Sequence, residues 1–148
     1  MREGLAALQA AGTLLREPYY LCLLAEGYGR AGRYEEGLAA LSEAQAVMER
    51  TGEYWMAAEL LRCRGELLSN NGAVREAEVC LRRAVEEAHR QEARSPALRA
   101  VLSLGKLLHR QDRSLETRQA LESLRAWLSE GSSTVDVKAV DELLRAWG

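Results

Sequence analysis

The sequence predicts an all-α protein built from antiparallel helix pairs that stack on one another. Three observations support this fold class: apolar residues recur at helical spacing, the connections between helical stretches are short, and the whole pattern repeats along the chain. Of the 148 residues, 47% are hydrophobic and 28% are charged, which is the balance of a folded soluble domain. Two prolines and no phenylalanine, with abundant Leu, Ala, Glu and Arg, favour helix over strand.

Equivalent residues of successive units are as far apart in sequence as Gly32 is from Gly72. We call this separation the repeat offset. Residues of like character recur at this offset at turn positions, at a small position and at large apolar positions. The matched sets are Gly32, Gly72 and Asp112; Ala25, Gly65 and Gly105; Tyr28, Leu68 and Leu108; Glu36, Glu76 and Glu116; and Leu41, Leu81 and Leu121. So many matches at one offset indicate a repeat architecture.

Within each unit the apolar residues follow the period of an amphipathic helix. The stripe Tyr34, Leu38, Leu41, Ala44 and Met48 advances by four, three, three and four residues. The same reading along the chain predicts eight helices, near 2–15, 18–31, 34–50, 54–70, 74–91, 96–111, 114–129 and 134–146. Because their connections are only a few residues long, consecutive helices run antiparallel.

The ends of several helices carry recognisable residues. Gly32 and Gly72 stand where a helix ends in a left-handed conformation, which glycine adopts at least cost. Asp112 can replace them because aspartate tolerates this conformation better than most residues. Ser95 and Pro96 are interpreted as the N-cap and first residue of the next helix.

Small residues are expected where the two helices of a pair cross. Each lies midway along the first helix of its pair and would let the second helix approach closely. The proposed contacts join Ala25 to Leu41, Gly65 to Leu81 and Gly105 to Leu121. An isolated pair would leave one apolar face in water, so neighbouring pairs must stack into a solenoid.

Two stretches resemble tetratricopeptide repeats: 24–44, with Gly32 at its turn, and 65–84, with Gly72 at its turn. That family has a usual period of 34, so these units resemble the longer variant found in the maltose-regulator class of bacterial activators. The resemblance implies a right-handed superhelix of about eight helices that ends in a capping helix.

Shorter strings resemble the C-terminal repeat region of large bacterial signalling proteins. They are EGLAAL at 36–41, RGELL at 64–68, WLSEG at 127–131 and TVDVK at 134–138. Such proteins carry a nucleotide-cyclase or DNA-binding domain and a P-loop ATPase before the repeats. The resemblance implies that 1–148 is one repeat domain and a fragment of a longer protein. Its expected divisions are a truncated repeat's second helix at 1–16, repeats at 18–51 and 53–92, a degenerate repeat at 95–130 and a cap at 133–148.

The sequence offers no recognisable catalytic or metal-binding motif, and the hypothesis is that the protein is not an enzyme and needs no cofactor. His89 and His109 have no second ligand at metal-binding spacing on their helices. The residues expected to serve packing rather than chemistry are the cysteines Cys22, Cys63 and Cys80, as buried free thiols, and the tryptophans Trp55, Trp127 and Trp147.

By resemblance, the first helices line a concave groove that binds a partner. The residues placed there are Tyr19, Cys22, Glu26, Arg30, Glu59, Arg62, Glu66, Asn70, Arg99, Leu102, Lys106 and His109. A stripe of cations at Arg30, Arg62 and Lys106, interrupted by glutamates, suits an acidic peptide. The open alternative is a solvated surface whose charges pair with one another.

The predicted function is a protein-interaction or regulatory scaffold module of a cytoplasmic signalling protein. Its partner would be a protein or peptide segment, or a neighbouring domain of the same chain. A homodimerisation module is the alternative, and a small enzyme is a third, disfavoured reading. A net charge of −2 argues against a nucleic-acid partner, and no apolar run is long enough for a membrane span.

Overall fold

The computed structural model describes residues 17–130 and 134–147. Within these residues the protein is all-α, which confirms the predicted fold class, and no strand is present. The seven helices are α1 (Glu17–Arg30), α2 (Tyr34–Thr51), α3 (Ala57–Asn70), α4 (Val74–Arg90), α5 (Arg94–Arg110), α6 (Ser114–Glu130) and α7 (Thr134–Trp147). The helix predicted near 2–15 lies outside the described residues.

Consecutive helices pack against each other along the chain, most extensively α1 on α2 and α3 on α4. The first helices of successive pairs also meet, since α3 contacts both α1 and α5. No comparable contact joins α2 to α4 or α4 to α6. The first helices therefore form one continuous layer, whereas the second helices are held further apart.

The turns repeat with the predicted period. Gly32, Gly72 and Asp112 have φ angles of 76°, 89° and 58°, which confirms the left-handed positions expected from the sequence. A second set at the same offset comprises Gly52 at 73° and Glu92 at 53°. Glu92 was not anticipated, although the sequence already places it one repeat offset after Gly52.

Each of four helix ends is closed by the same backbone hydrogen bond. The amide that follows the left-handed residue donates to the carbonyl five residues earlier, as in a Schellman motif. These bonds run from Arg33 to Tyr28 (2.8 Å), Ala73 to Leu68 (2.9 Å), Ala93 to Ala88 (2.9 Å) and Arg113 to Leu108 (3.0 Å). Identical closures fix the same chain reversal in each unit, so the helices alternate in direction.

Two predicted helix starts are displaced by a few residues. Helix α3 begins at Ala57 rather than near 54, and Trp55 in the preceding connection is 50% exposed instead of packed in the core. Helix α5 begins at Arg94, so Ser95 is not its N-cap and Pro96 is its third residue. A proline is tolerated there because the first four amides of a helix have no intrahelical acceptor.

The close crossing expected at Gly65 is confirmed. A Cβ atom built on Gly65 would lie 2.6 Å from Leu81 Cγ and 3.3 Å from the Ala77 carbonyl, so only glycine fits. The contact predicted at Gly105 is wrong, because the space beside it is filled by Trp147 of α7, 2.7 Å from the corresponding Cβ position. The absence of a side chain therefore lets α4 pack closely on Gly65 and α7 pack closely on Gly105.

The buried apolar residues form three neighbouring clusters along the array. The first joins α1, α2 and α3, around Leu21, Leu41 and Leu60. The second joins α4 and α5, around Leu81 and Leu108. The third, which reaches α7, is built on Ala58, Ala88, Ala97, Val101, Leu121, Leu124, Leu128 and Val140. Each of the three clusters contains residues from more than one helix pair, so the core runs across the boundaries between pairs.

Candidate functional site

A groove follows the layer formed by α1, α3 and α5. It consists of two cavities, of about 390 Å³ and 210 Å³, that share Glu66 and Asn70. We call this surface the first-helix groove; its lining is Glu26, Gly29, Arg30, Arg62, Cys63, Glu66, Leu67, Ser69, Asn70, Leu81, Ser103, Lys106 and Arg110. Several lining residues of the second cavity stand one repeat offset after those of the first, so the groove has the period of the fold.

Arg62 is the centre of the groove's ion pairs. Its guanidinium lies 3.0 Å from Glu59, 3.2 Å from Glu66 and 3.3 Å from Glu26. The side chain is only 12% exposed, and its Nε is buried without a hydrogen-bond partner. Charge-assisted bonds of this kind are strongest where water is excluded. Arg62 therefore serves to hold three carboxylates and is not an open cation for a ligand.

The same carboxylates tie α3 to α5. Arg99 Nε lies 2.9 Å from Glu59 Oε1, and the Ser103 hydroxyl donates to Glu66 Oε1 at 2.6 Å. Together with the bond from Arg62 to Glu26, these contacts form a polar chain that crosses all three first helices. Part of the predicted charge stripe is thus internally paired, as the alternative of a self-paired surface anticipated.

The pKa values follow this geometry. Burial alone would raise the pKa of Glu59, but its bonds to Arg62 and then Arg99 outweigh burial and lower it. Burial likewise opposes the charge of Arg62, whose pKa is nevertheless raised, chiefly by its hydrogen bond to Glu59. The pKa of the Cys63 thiol is raised by a hydrogen bond with Cys22 and by burial, which keeps it neutral.

The cations without strong pairing lie near the C-terminal ends of α1 and α5. Arg30 is 82% exposed and reaches Glu26 only at 3.8 Å. Lys106 and Arg110 line the second cavity and have no carboxylate of the described residues within 4.0 Å. Within the described part of the chain, Arg110 donates to the carbonyl oxygen of Lys106. A carboxylate in the groove would meet its uncompensated positive charge here.

The other predicted groove residues are distributed as follows. Glu26, Arg30, Arg62, Glu66, Asn70 and Lys106 line the groove, whereas Glu59 and Arg99 lie beside it through their ion pairs. Cys22 is buried in the core, and Tyr19 stacks edge-on against Tyr20. His109 stacks on Trp147, with ring centroids 5.8 Å apart, at the contact with α7.

The sequence reasoning missed seven of the residues that line the groove: Gly29, Cys63, Leu67, Ser69, Leu81, Ser103 and Arg110. Ser103 and Arg110 stand one repeat offset after Cys63 and Asn70, both of which line the first cavity. Applying the repeat offset to Asn70, which was predicted in the groove, would have found Arg110. Cys63 was predicted only as a packing residue, so no such signal in the sequence indicated Ser103.

The packing predictions for cysteine and tryptophan are mostly confirmed. Cys22 and Cys63 are buried and free, whereas Cys80 is only partly buried. Trp127 meets His89 edge-on, with centroids 4.3 Å apart, and both Trp127 and Trp147 pack against the third core cluster. Residues 17–130 and 134–147 contain no cluster of three His, Cys, Asp or Glu arranged to hold a metal. Among their helices, none has the length and hydropathy of a membrane span.

No protein-family model matches the chain. An uncharacterized protein of Rhizobium meliloti (strain 1021) is 36% identical to it over 107 residues, which are 72% of this chain. The matched stretch is 10% of that relative, so the chain spans about a tenth of its length.

Proposed function

We propose that the protein is a non-catalytic interaction module whose first-helix groove binds an extended, acidic protein segment. The observation that carries the proposal is that the cations of the groove differ in how strongly they are paired with carboxylates. Arg62 is neutralised by three glutamates, whereas Arg30, Lys106 and Arg110 remain available at one edge. The exposed amide of Asn70 lies between these cations and can bond to a peptide backbone.

Nucleic acid is the poorer occupant. Binding to a phosphate backbone gains from the release of many counterions, which requires many unopposed cations. Here Glu26, Glu59 and Glu66 alternate with the arginines and would repel phosphates along the same path. A peptide that presents carboxylates at one edge and a polar backbone elsewhere avoids this repulsion.

The wider architecture proposed is a right-handed, tetratricopeptide-like superhelix closed by a capping helix. The continuous layer of first helices, the separated second helices and the regular recurrence of the turns support it. The context proposed is a larger cytoplasmic signalling ATPase, cyclase or regulator. The similarity to a short part of a far longer protein supports a role as one module of several.

Charge reversal at the groove edge tests this function. We expect a labelled Glu/Ser peptide of about twelve residues, long enough to cross three helices at about 3.3 Å per residue, to bind weakly and to be released by salt. The variant Arg30→Glu, Lys106→Glu, Arg110→Glu should lose at least about tenfold in affinity, because three attractive contacts become repulsive. Fluorescence anisotropy measures the change.

The matched control is Arg50→Glu, Arg75→Glu, Arg94→Glu. These arginines are exposed and lie outside the groove, and their reversal changes the net charge of the chain by the same amount. We expect the control to bind within about threefold of the wild type. Equal losses in both variants would mean that only overall charge is sensed and would refute the groove assignment.

Homodimerisation through α1 is a second candidate, favoured by one observation. Tyr19 and Leu23 are one helical turn apart and are 45% and 44% exposed, so α1 presents a small apolar strip. If this strip pairs with a second copy, light scattering across a dilution series should show a dimer that dissociates on dilution. Tyr19→Glu with Leu23→Glu should then leave a monomer at every concentration, and an unchanged mass would exclude the strip as the interface.

A further inference from the structure

A second surface lies on the opposite side of the helix pairs, where α2, α4 and α6 are held apart. The gap between α2 and α4 forms a cavity of about 370 Å³. Its walls come from α2, α3, α4 and the connection before α3, and we call it the first cleft; it is lined by Gln45, Met48, Glu49, Tyr54, Ala57, Leu60, Leu61, Arg64, Arg83, Glu87 and Arg90. Met48 and Leu60 are buried apolar residues in this lining, and Tyr54 is 46% exposed.

An equivalent second cleft lies one repeat further on. The gap between α4 and α6 holds a cavity of about 240 Å³, lined by Arg82, Val85, Glu86, His89, Val101, Leu104, Ala120, Ser123 and Leu124. Val85, His89 and Val101 stand one repeat offset after Gln45, Glu49 and Leu61 of the first cleft. The two clefts lie on either side of α4, so they are separated by about the 10–12 Å diameter of a helix with its side chains.

The two clefts differ most in charge. Arg64 and Arg83 of the first cleft correspond at the repeat offset to Leu104 and Ser123 of the second. The helix pair thus forms with an apolar and a small polar residue at these positions. The two arginines are not required to build the cleft, and their presence needs another explanation.

Neither arginine forms a salt bridge within the described residues, although Arg83 is close enough to Glu87 to help lower the pKa of that carboxyl. Arg64 donates to the uncharged amide oxygen of Gln45 at 3.2 Å. Neither Arg64 nor Arg83 has a carboxylate of residues 17–130 or 134–147 within 4.0 Å, whereas Arg90 at the same cleft is paired with Glu87. Two guanidinium groups thus border an apolar floor with their charge available to a ligand.

We propose that the two clefts dock a protein segment that carries a carboxylate next to an apolar side chain. The carboxylate binds between Arg64 and Arg83, and its apolar neighbour packs on Met48 and Leu60. A second apolar side chain, three or four residues away in an extended segment, occupies the second cleft. Two anchoring sites at this spacing fit a polypeptide, which can reach both, better than a single small acid. This surface is separate from the first-helix groove and does not depend on it.

The experiment is an NMR titration of the ¹⁵N-labelled chain with a capped peptide in which two leucines are three residues apart and glutamates flank the first. We expect amide shifts confined to both clefts. The variant Arg64→Leu, Arg83→Ser gives the first cleft the residues of the second and should bind at least about tenfold more weakly. The control Arg50→Ser, Arg75→Leu removes two exposed arginines outside both clefts and should bind as the wild type does.

Three results would overturn the proposal. The first is equal affinity in the wild type and in the Arg64→Leu, Arg83→Ser variant. The second is a set of shifts that maps to α1 and α5 in the first-helix groove. The third is equally tight binding of N-acetyl-leucine, which would assign the first cleft to a small acid. Since both variants alter only exposed or half-buried side chains, an unchanged amide spectrum without peptide shows that the fold is kept.

Discussion

Gly65→Leu is expected to destabilise the protein by about 3 kcal/mol or more, the largest effect of any single change considered. Gly65 is buried where α3 crosses α4, and even a Cβ atom would lie 2.6 Å and 2.8 Å from two carbons of Leu81. Leu81 is fully packed, and the Ala77 carbonyl on the other side is backbone, so neither neighbour can move aside without shifting α4. A melting temperature lower by roughly 6–12 °C in circular dichroism would be the corresponding result.

Gly27→Leu is the matched control. Gly27 also lies within a helix, but apart from its chain neighbours and the backbone of its own helix, no atom lies within 4 Å of its Cβ position. Leucine has the higher helix propensity by about 1 kcal/mol, so this variant should be slightly more stable than the wild type. If leucine lowers the stability at Gly65 and raises it at Gly27, the loss at Gly65 comes from the close helix crossing and not from helix propensity. A Gly65→Leu protein that melts with the wild type would disprove the close crossing.

Arg62→Met is expected to cost about 2–3 kcal/mol at neutral pH, somewhat less than the loss of one partner from a fully buried ion pair. Methionine fills much of the arginine volume but leaves Glu26, Glu59 and Glu66 without their shared cation. Removing one partner of a buried ion pair costs about 3–5 kcal/mol. We reduce that range because Glu26 and Glu66 are 31% and 42% exposed and water can partly replace the lost bonds. Urea denaturation measures the difference.

The loss of stability in Arg62→Met should become smaller as the pH falls. In the wild type the folded-state pKa of Glu59 is below its ordinary value of 4.5, so its charge stabilises the fold above that pH. That contribution is lost as the pH falls through the lowered folded-state value. In Arg62→Met, burial still raises the pKa of Glu59 while the chief opposing bond is gone. The Glu59 carboxyl of the variant therefore takes up its proton at a higher pH, and the stability of the variant should approach that of the wild type as the pH falls through the lowered folded-state pKa of Glu59.

Arg118→Met is the control for this experiment. Arg118 pairs with Glu122 across one helical turn, and both side chains are about half exposed. Such a pair contributes about 0.5 kcal/mol or less, so the loss should be small and nearly independent of pH. If Arg62→Met behaves in the same way at every pH, the three carboxylates are better solvated than the structure indicates.

The repeat made much of the fold predictable from the sequence. The repeat offset identified the left-handed turns at Gly32, Gly72 and Asp112, because turn geometry depends on local residues. The same period gave the crossing of Gly65 with Leu81, since both residues belong to one helix pair. The prediction failed at Gly105, which faces Trp147 of α7, so the third unit does not repeat the contact of Gly65 with Leu81.

The groove was predicted less completely, for a physical reason. Helical spacing shows which residues share a face, but it does not show which charges neutralise each other between helices. The cation stripe required Arg62 to be available, whereas the alternative paired it within the surface; Arg62 binds carboxylates from both α1 and α3. These contacts depend on the distance between helices and on side-chain rotamers, neither of which periodicity determines. The edge cation Arg110 required the offset to be applied to Asn70.

Because these turns close with the same backbone hydrogen bond, one helix pair can stand in place of another in the array. Since 34–73 begins and ends at equivalent points of two identical chain reversals, copying or deleting a block of this length would rejoin the chain without a new loop geometry. Such an event would change the copy number of both surfaces at once, adding or removing one groove cavity and one cleft. The length of partner that the protein contacts could thus increase by one repeat at a time, while the local packing of every unit stays the same.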